Sequence, residues 1–127
     1  MMEGVGFSLL HNLRTAEEVN AFVKELISVG GASNSRVWTQ IKADITGKTI
    51  HVPLSDHATT LGAALLAGVG TGVYSNFEEA VHKTVHIQRT HHPFLYNNST
   101  YEKFYQIYIE LYQKLRDSFD TLARIAD

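Results

Sequence analysis

Six consecutive small residues have the types and spacing to contact a phosphate-bearing ligand. They are Gly30, Gly31, Ala32, Ser33, Asn34 and Ser35. Adjacent glycines let the backbone approach a ligand without obstruction by side chains. A helix predicted to begin at about Ser35 would point its unpaired N–H groups and its positive dipole end toward the same space. The segment therefore suits the ribose and phosphates of a nucleotide.

The same segment is also typical of an ordinary chain reversal in an α/β protein. A strand, a Gly-Gly turn and a capped helix need no ligand, so the pattern is only a hypothesis of function. Residues 30–35 contain neither the Gly-x-Gly-x-x-Gly spacing of a dinucleotide-binding turn nor the Gly-Lys-Ser/Thr ending of a P-loop. The loop taken alone leaves both interpretations open.

The seven histidines raise the alternative of a metal site. His82 and His86 are four residues apart and His91 adjoins His92, but no His-Glu-x-x-His sequence occurs. His86 lies in a stretch predicted to be extended, which would remove it from the helix face that carries His82. We predict no metal, and elemental analysis would decide the matter.

The acidic pairs do not form an arrangement for acid–base catalysis. Glu17–Glu18 and Glu78–Glu79 lie in predicted first helical turns, where negative charge stabilises the helix. His57, next to Asp56, is predicted to cap a helix and not to catalyse. We therefore predict no catalytic residue in this chain.

The composition excludes several classes of protein. The chain has 127 residues, of which 44% are hydrophobic and 19% charged, which is typical of one globular domain. A net charge of -2 disfavours nucleic-acid binding by phosphate neutralisation. The absence of cysteine excludes disulfides and cysteine-bound zinc and fits a cytoplasmic location. The most apolar stretch, Leu61 to Val73, is too short for a membrane span, which takes about 20 residues.

The elements around the loop predict a crossover unit. A strand over Lys24–Val29, the loop, a helix from Ser35 to Ile45 and a strand over Thr49–Pro53 follow in order. Such a connection normally places its two strands parallel in one sheet with a right-handed crossover.

The first helix is predicted from Met2 to about Leu13, with an apolar stripe that includes Val5. No cap or turn precedes it, so we expect the chain to be a fragment of a longer protein. A capping box at Thr15 and Glu18 is predicted to open a second, short helix.

Three further helices follow in the prediction. The helix from His57 to Ala67 is capped by Ser55 or Asp56 and ended by glycines, and its small residues are predicted to pack in a core. A capping box at Asn76 and Glu79 predicts a short helix to Lys83, and another at Ser99 and Glu102 predicts a long helix to Ala126. Between these helices an extended piece is predicted at Val85–Ile87, and His91-His92-Pro93 is predicted to break it. The long helix carries an apolar stripe, which comprises Tyr101, Phe104, Tyr105, Tyr108, Leu111, Tyr112, Leu115, Phe119 and Leu122.

Two motifs and the tail resemble the FGGY carbohydrate kinases. The segment from Val29 to Gly47 resembles the nucleotide-side motif of that family, and the segment from Ala58 to Tyr74 resembles the motif that follows it. Glu3–Phe7 resembles the preceding helix, and Tyr101–Leu115 is similar to the final helix. The overall sequence looks closest to xylulokinase-like members. It departs from the family at His57, where many members have an acidic residue, and at His91-His92-Pro93, where an acidic residue commonly precedes the proline.

The resemblance implies a fold and a function. The fold would be α/β, as part of the second lobe of a ribonuclease-H-like (actin-like) ATPase, with residues 1–127 as the C-terminal part of that lobe. The parent protein would be an ATP- and magnesium-dependent sugar kinase whose sugar site and catalytic aspartate belong to the first lobe. Gly30, Gly31 and Ala32 would lie on the α-phosphate and ribose side of the nucleotide, Ser35 near the adenine, and Ser33 and Asn34 would complete the loop.

The isolated chain is expected to be inactive. Half of the cleft would be missing, so we expect no sugar phosphorylation and weak nucleotide binding. Open strand edges predict self-association, as a homo-oligomer, or poor stability. The alternative is a stand-alone binding or oligomerisation module that uses the tyrosine-rich helix as its partner surface.

Overall fold

A three-stranded sheet organises the protein, with strand order β1-β2-β3. The computed structural model describes residues 2–54 and 57–126. The elements in chain order are α1 (Met2–Glu18), β1 (Glu25–Ile27), a 3₁₀ turn (Gly31–Asn34), α2 (Arg36–Thr46), β2 (Thr49–Pro53), α3 (Ala58–Gly70), α4 (Phe77–Thr84), β3 (Ile87–His91) and α5 (Leu95–Ala126).

The predicted crossover unit is confirmed. β1 and β2 pair in parallel, with Leu26 opposite Ile50. The Ser35 hydroxyl oxygen accepts the N–H of Trp38 and so caps α2, and the Gly47 N–H closes its other end on the carbonyl of Ala43. Local capping chemistry thus fixes both ends of the helix that follows the loop.

β3 adds an antiparallel strand to the other edge of β2, in addition to the two predicted parallel strands. The extended piece predicted at Val85–Ile87 lies further along the chain. His91 continues the strand opposite Ile50 and does not break it. β3 is largely exposed on the outer face, so its sequence lacks the apolar alternation that identifies a half-buried strand.

The separate second helix is also wrong, because α1 runs without interruption from Met2 to Glu18. The Thr15 hydroxyl donates to the carbonyl of His11 one turn earlier, so it is committed inside the helix. The chain turns only after Glu18, where Asn20 adopts a φ of 64°. Asparagine tolerates that left-handed conformation better than most residues.

The core lies where α1, α2 and α5 meet. Phe7 and Leu10 of α1 pack there with Ile45 of α2 and Tyr105 of α5. Val5, which was predicted on the buried stripe, is 53% exposed. α2 in turn contacts β2 and β3, so it links this helical core to the sheet.

α3 is more exposed than its composition predicts. It packs against α4, and Leu65 is its one buried residue in the described part of the chain. Gly68 does serve packing, because an added Cβ would lie 2.8 Å from the Tyr74 ring. The core-packing prediction is wrong for three alanines, which are exposed: Ala63, Ala64 and Ala67.

The boundaries of α3 and α4 test the predicted caps. α3 continues past Ala67 to Gly70. Its predicted caps, Ser55 and Asp56, lie outside the described residues, and His57 at the N-cap position makes no side-chain capping bond. For α4 the prediction is confirmed, since the Asn76 side chain accepts the N–H of Glu79 at 2.8 Å.

α5 begins at Leu95, four residues before the predicted cap at Ser99. The Ser99 hydroxyl donates to the Tyr96 carbonyl and does not cap the helix. From Glu110 to residue 125 every side chain of α5 is exposed, so the second half of the helix extends beyond the core. Within residues 2–54 and 57–126, no helix combines the length and apolar character that crossing a bilayer requires.

Candidate nucleotide-binding site

The predicted loop lies between β1 and α2, at the carboxyl end of β1. Its centre is a tight 3₁₀ turn and not an open loop. The Ser33 N–H donates to the Gly30 carbonyl at 2.9 Å, and the Ser33 hydroxyl donates to the same oxygen at 2.6 Å. The turn is therefore held in one conformation before α2 begins.

The two glycines have different roles in this turn. Gly30 has φ 84° and ψ 175°, a conformation that is essentially restricted to glycine. Gly31 has no positive φ, and a Cβ added to it would meet nothing within 4 Å. The fold thus requires glycine at position 30 but not at position 31, where the missing side chain leaves the backbone accessible from outside.

The polar side chains of the loop are largely committed to the fold. Ser33 is 2% exposed, and its hydroxyl is used within the turn. The Ser35 hydroxyl accepts the N–H of Trp38 at 3.2 Å. Ala32 and the Asn34 side chain are exposed. The surface that the loop presents is thus backbone at Gly31 and Ala32 together with the Asn34 amide.

Two cationic side chains near the loop were not predicted from the sequence. Arg89 of β3 donates from Nη2 to the Ser33 carbonyl. Lys42 of α2 donates to the Ser28 hydroxyl at 3.2 Å, just before the loop, and burial lowers the pKa of its ammonium. Both contacts join residues far apart in sequence, so no local motif could have identified them. They add positive charge on the side of the loop, which favours an anionic ligand.

Trp38 lies one turn into α2 and has an unusual feature. Lys42 Nζ lies 5.3 Å from the centroid of its ring, within cation–π range. Its Nε1 is buried and is the one buried side-chain nitrogen or oxygen that lacks a hydrogen-bond partner in the described ranges. This unsatisfied donor is a feature that only the folded structure reveals.

An apolar groove of about 340 Å³ lies beside the loop. The ends of β1 and β2 form one wall, and α3 and the end of α4 form the other. Its lining residues are Ile27, Val29, Pro53, Leu54, Ala58, Leu61, Gly62, Leu65, Val81, Thr84, Val85 and His86. Apart from Thr84 and His86 the lining is apolar, so the groove can receive an apolar group.

The histidines are dispersed. His82 lies in α4, whereas His86 lies beyond its end, as the extended stretch predicted. Across residues 2–54 and 57–126, no three His, Cys, Asp or Glu side chains are grouped so that they could hold a metal ion.

The fold and the loop define an α/β domain of the kind in which a ligand approaches the carboxyl ends of parallel strands. The family model described as the FGGY family of carbohydrate kinases, C-terminal domain, matches residues 1–71. The match contains the whole of the Val29–Gly47 motif and reaches Thr71 in the second motif. The chain belongs to the FGGY family of carbohydrate kinases.

Two related proteins show how much of a family member this chain represents. The autoinducer-2 kinase of Salmonella paratyphi B is 41% identical over 95 residues, which cover 75% of this chain and 18% of that kinase. The L-xylulose/3-keto-L-gulonate kinase of Escherichia coli K12 is 40% identical over 114 residues, which cover 90% of this chain and 23% of that kinase. The chain thus spans about a fifth of the length of these relatives.

A solved structure extends the comparison to the fold. The xylulose kinase from Rhodospirillum rubrum superimposes with a TM-score of 0.81 at 22% identity, over 94% of this chain and 24% of that chain. This match includes the region beyond residue 71. The predicted α/β fold with a long C-terminal helix is confirmed. The alternative of a stand-alone module is not favoured.

Proposed function

We propose that this chain is the C-terminal part of the second lobe of an ATP-dependent carbohydrate kinase, where it supplies one wall of the ATP/ADP cleft. Residues 1–127 would form a single part of that lobe. Membership of a carbohydrate kinase family supports the class of reaction. The observation that carries the assignment of the site is the backbone left accessible at Gly31, directly before the beginning of α2.

The residues of the turn fit a nucleotide. Gly30, Gly31 and Ala32 would lie along the ribose and α-phosphate, because backbone there is not covered by side chains. The beginning of α2 would add the N–H groups and dipole that favour anions. Ser33 and Ser35 would act through the shape they give the turn, since their hydroxyls are engaged within the fold. Ser35 would lie near the adenine, and Asn34 would complete the loop.

The reaction would need the parent protein. In it, ATP would supply the phosphoryl group and Mg²⁺ would neutralise its charge. A residue outside this chain would accept the proton of the sugar hydroxyl. The two curated relatives are named for autoinducer-2 and for L-xylulose or 3-keto-L-gulonate, so we favour a small keto sugar of the xylulose type as acceptor. The parent would act in the cytoplasm, consistent with a chain that contains no cysteine.

A glycine substitution tests the site. Gly31→Ala should leave the melting temperature unchanged, because its Cβ meets nothing within 4 Å, yet it should weaken ATP binding about tenfold by obstructing the approach to the backbone. The measurement is a titration of the 127-residue chain with ATP and Mg²⁺, followed by backbone amide NMR. Gly4→Ala is the matched control, since it also meets nothing within 4 Å but lies in α1.

The outcomes separate clearly. Amide shifts that concentrate in residues 30–38 and an affinity lost only in Gly31→Ala support the proposal. Equal affinity in both variants, or shifts confined to α5, would place any binding elsewhere and contradict the proposal. The chain alone should phosphorylate no sugar in a coupled assay, and measurable turnover by it would show that the base lies within these residues.

A further inference from the structure

The carbonyl of Ser33 is held from outside the loop. Arg89 of β3 donates to it from Nη2, and the Thr39 hydroxyl lies 3.3 Å from it, with its shorter bond of 2.9 Å to the Ser35 carbonyl. Thr39 belongs to α2, the helix that directly follows the loop, so its contact is local. Arg89 is 56 residues away in sequence and reaches the loop across the sheet. It is therefore the residue that fixes the position of the turn relative to β3.

Arg89 is itself oriented by His91. Arg89 Nε donates to His91 Nε2 at 3.2 Å, and His91 Nδ1 lies 3.0 Å from Gln40 Oε1. The Gln40 amide donates to Asp44 Oδ1 at 2.8 Å, which fixes which end of the amide faces His91. A continuous chain of hydrogen bonds thus runs from the loop to a buried carboxylate.

The donors and acceptors allow only one form of His91. A guanidinium nitrogen can only donate, so His91 Nε2 must carry no proton. Gln40 Oε1 can only accept, so Nδ1 must carry the proton and donate. The chain of bonds is complete with neutral His91 in this tautomer, and it cannot form with the imidazolium.

The charges around His91 act in the same direction. Arg89 lies on the same strand and Arg36 lies on α2, and both are cations. The nearest acidic group within this network, Asp44, is separated from His91 by Gln40. Burial, then Arg89, then Arg36 lower the pKa of His91 below its usual value of 6.5. The neutral form is therefore the one present at neutral pH.

We propose that Arg89 is a positioning residue for the nucleotide loop and that neutral His91 keeps it in place, so that protonation of His91 releases the loop and weakens nucleotide binding. A proton on Nε2 would oppose the N–H of Arg89 Nε and add a second positive charge beside it. The link to nucleotide rests on the proposed function, whereas the link from His91 to the loop can be observed without nucleotide.

The sign of the effect follows from the lowered pKa. At neutral pH His91 is neutral, and the loop is held. As pH falls below about 6.5 and passes through the lower pKa of the folded protein, His91 gains a proton and the loop is released. Affinity for ATP should thus be constant above neutral pH and fall on the acid side.

Two variants and a control test this on the 127-residue chain. Arg89→Met should weaken binding of ATP about tenfold, which corresponds to about 1.4 kcal/mol. His91→Gln should retain much of the affinity for ATP at about pH 7.5, because the oxygen of its amide can accept from Arg89. Its affinity should not fall as the pH is lowered toward about 5.5, because the glutamine does not titrate. Arg36→Met removes a cation adjacent to Ser35 but keeps the chain of bonds, so at about pH 7.5, where His91 is neutral, it controls for the loss of one positive charge near the loop. Circular dichroism melts establish that each variant is folded.

Backbone amide NMR without nucleotide gives the independent readout. Amide shifts of residues 31–35 that titrate together with His91, and that cease to do so in His91→Gln, support the proposal. If ATP binds to residues 30–35 but neither Arg89→Met nor pH changes the affinity or the loop shifts, this inference is overturned while the proposed function stands. If ATP does not bind to these residues at all, the proposed function fails, and the nucleotide part of this inference fails with it.

Discussion

The carboxylate of Asp44 accepts the backbone N–H of Phe94 at 2.9 Å, and this bond ties α2 to the segment that leads into α5. The same carboxylate accepts the side-chain amides of Gln40 and Asn97, each at 2.8 Å. Asp44 is only 3% exposed, and the three partners of its carboxylate are all donors. A buried carboxylate with several donors is stabilised far more than one with a single partner.

Replacing this carboxylate should therefore destabilise the protein. Asp44→Asn replaces one of the two acceptor oxygens with an NH2 group that faces other donors, and we expect a loss of about 2–4 kcal/mol in the free energy of unfolding. Denaturant unfolding followed by circular dichroism measures it. Asp117→Asn, on the exposed part of α5, is the matched control and should stay within about 0.5 kcal/mol of the wild type. A similar small change in Asp44→Asn would mean that the three donors are satisfied otherwise.

Gly6 permits the close approach of α1 to α2. A Cβ added there would lie 2.5 Å from Ile45 Cδ1, and Ile45 is only 1% exposed, so its side chain has little room to move. We expect Gly6→Ala to cost about 1–3 kcal/mol through overpacking, which outweighs the gain in helix propensity of about 1 kcal/mol.

The same substitution two residues earlier isolates the packing effect. Gly4→Ala lies in the same helix and meets nothing within 4 Å, so it should be neutral or slightly stabilising. Thermal melts of the two variants give the comparison. Equal melting temperatures for Gly6→Ala and Gly4→Ala would show that Ile45 adapts at no cost.

Local chemistry predicted part of this fold well. The helix that begins at Ser35 and the crossover between β1 and β2 depend on residues close in sequence, and both are found. The boxes at Thr15 and Ser99 failed because their side chains hydrogen-bond within a longer helix. A tertiary contact also engages Glu102, the acidic partner of Ser99.

One such partner shows the limit of sequence patterns. Glu102, predicted to complete a cap with Ser99, pairs instead with Arg14 of α1 at 3.2 Å. The sequence could not reveal that pair, because 88 residues separate the two side chains. In the candidate site, the six loop residues were identifiable, but the contact of Arg89 with Ser33 depends on the antiparallel β3, which was not predicted.

Glu79 should titrate at unusually low pH. Its carboxylate accepts from Lys83 Nζ at 2.6 Å and from the N–H and the hydroxyl of Ser75, and these bonds lower its pKa from 4.5 to about 2, the Lys83 bond most of all. Because the pKa is lower in the folded state, the stabilisation is complete above about 4.5 and is lost as pH falls toward about 2.

The pKa of Glu79 can be measured by NMR titration of its side-chain carbonyl. Lys83→Met removes the largest contribution and should raise the pKa toward its usual value. Lys114→Met removes a comparable lysine from the i,i+4 pair with Glu110 on α5 and should leave Glu79 unchanged. A Glu79 that titrates near 4.5 in the wild type would mean that the bonds to Ser75 and Lys83 are not kept in solution.

The exposed half of α5 should contribute to self-association, which the open edges of β1 and β3 also favour. Leu115 and Leu122 are 43% and 62% exposed on the apolar stripe. Replacing both with lysine should weaken association about tenfold or more without lowering the melting temperature, because neither side chain belongs to the core.

Sedimentation over a range of concentrations distinguishes the two sources of association. Gln113→Lys with Thr121→Lys adds the same charge off the stripe, so it should associate like the wild type unless charge alone is responsible. Ile27→Lys places a lysine on β1, where Ile27 is 62% exposed. This variant should weaken association only if the edge of the sheet pairs with another chain. Association that survives the double leucine variant but not Ile27→Lys would assign it to the sheet. A wild-type chain that sediments as a monomer at high concentration and melts cooperatively would contradict both, because each surface would then be tolerated in water without a partner.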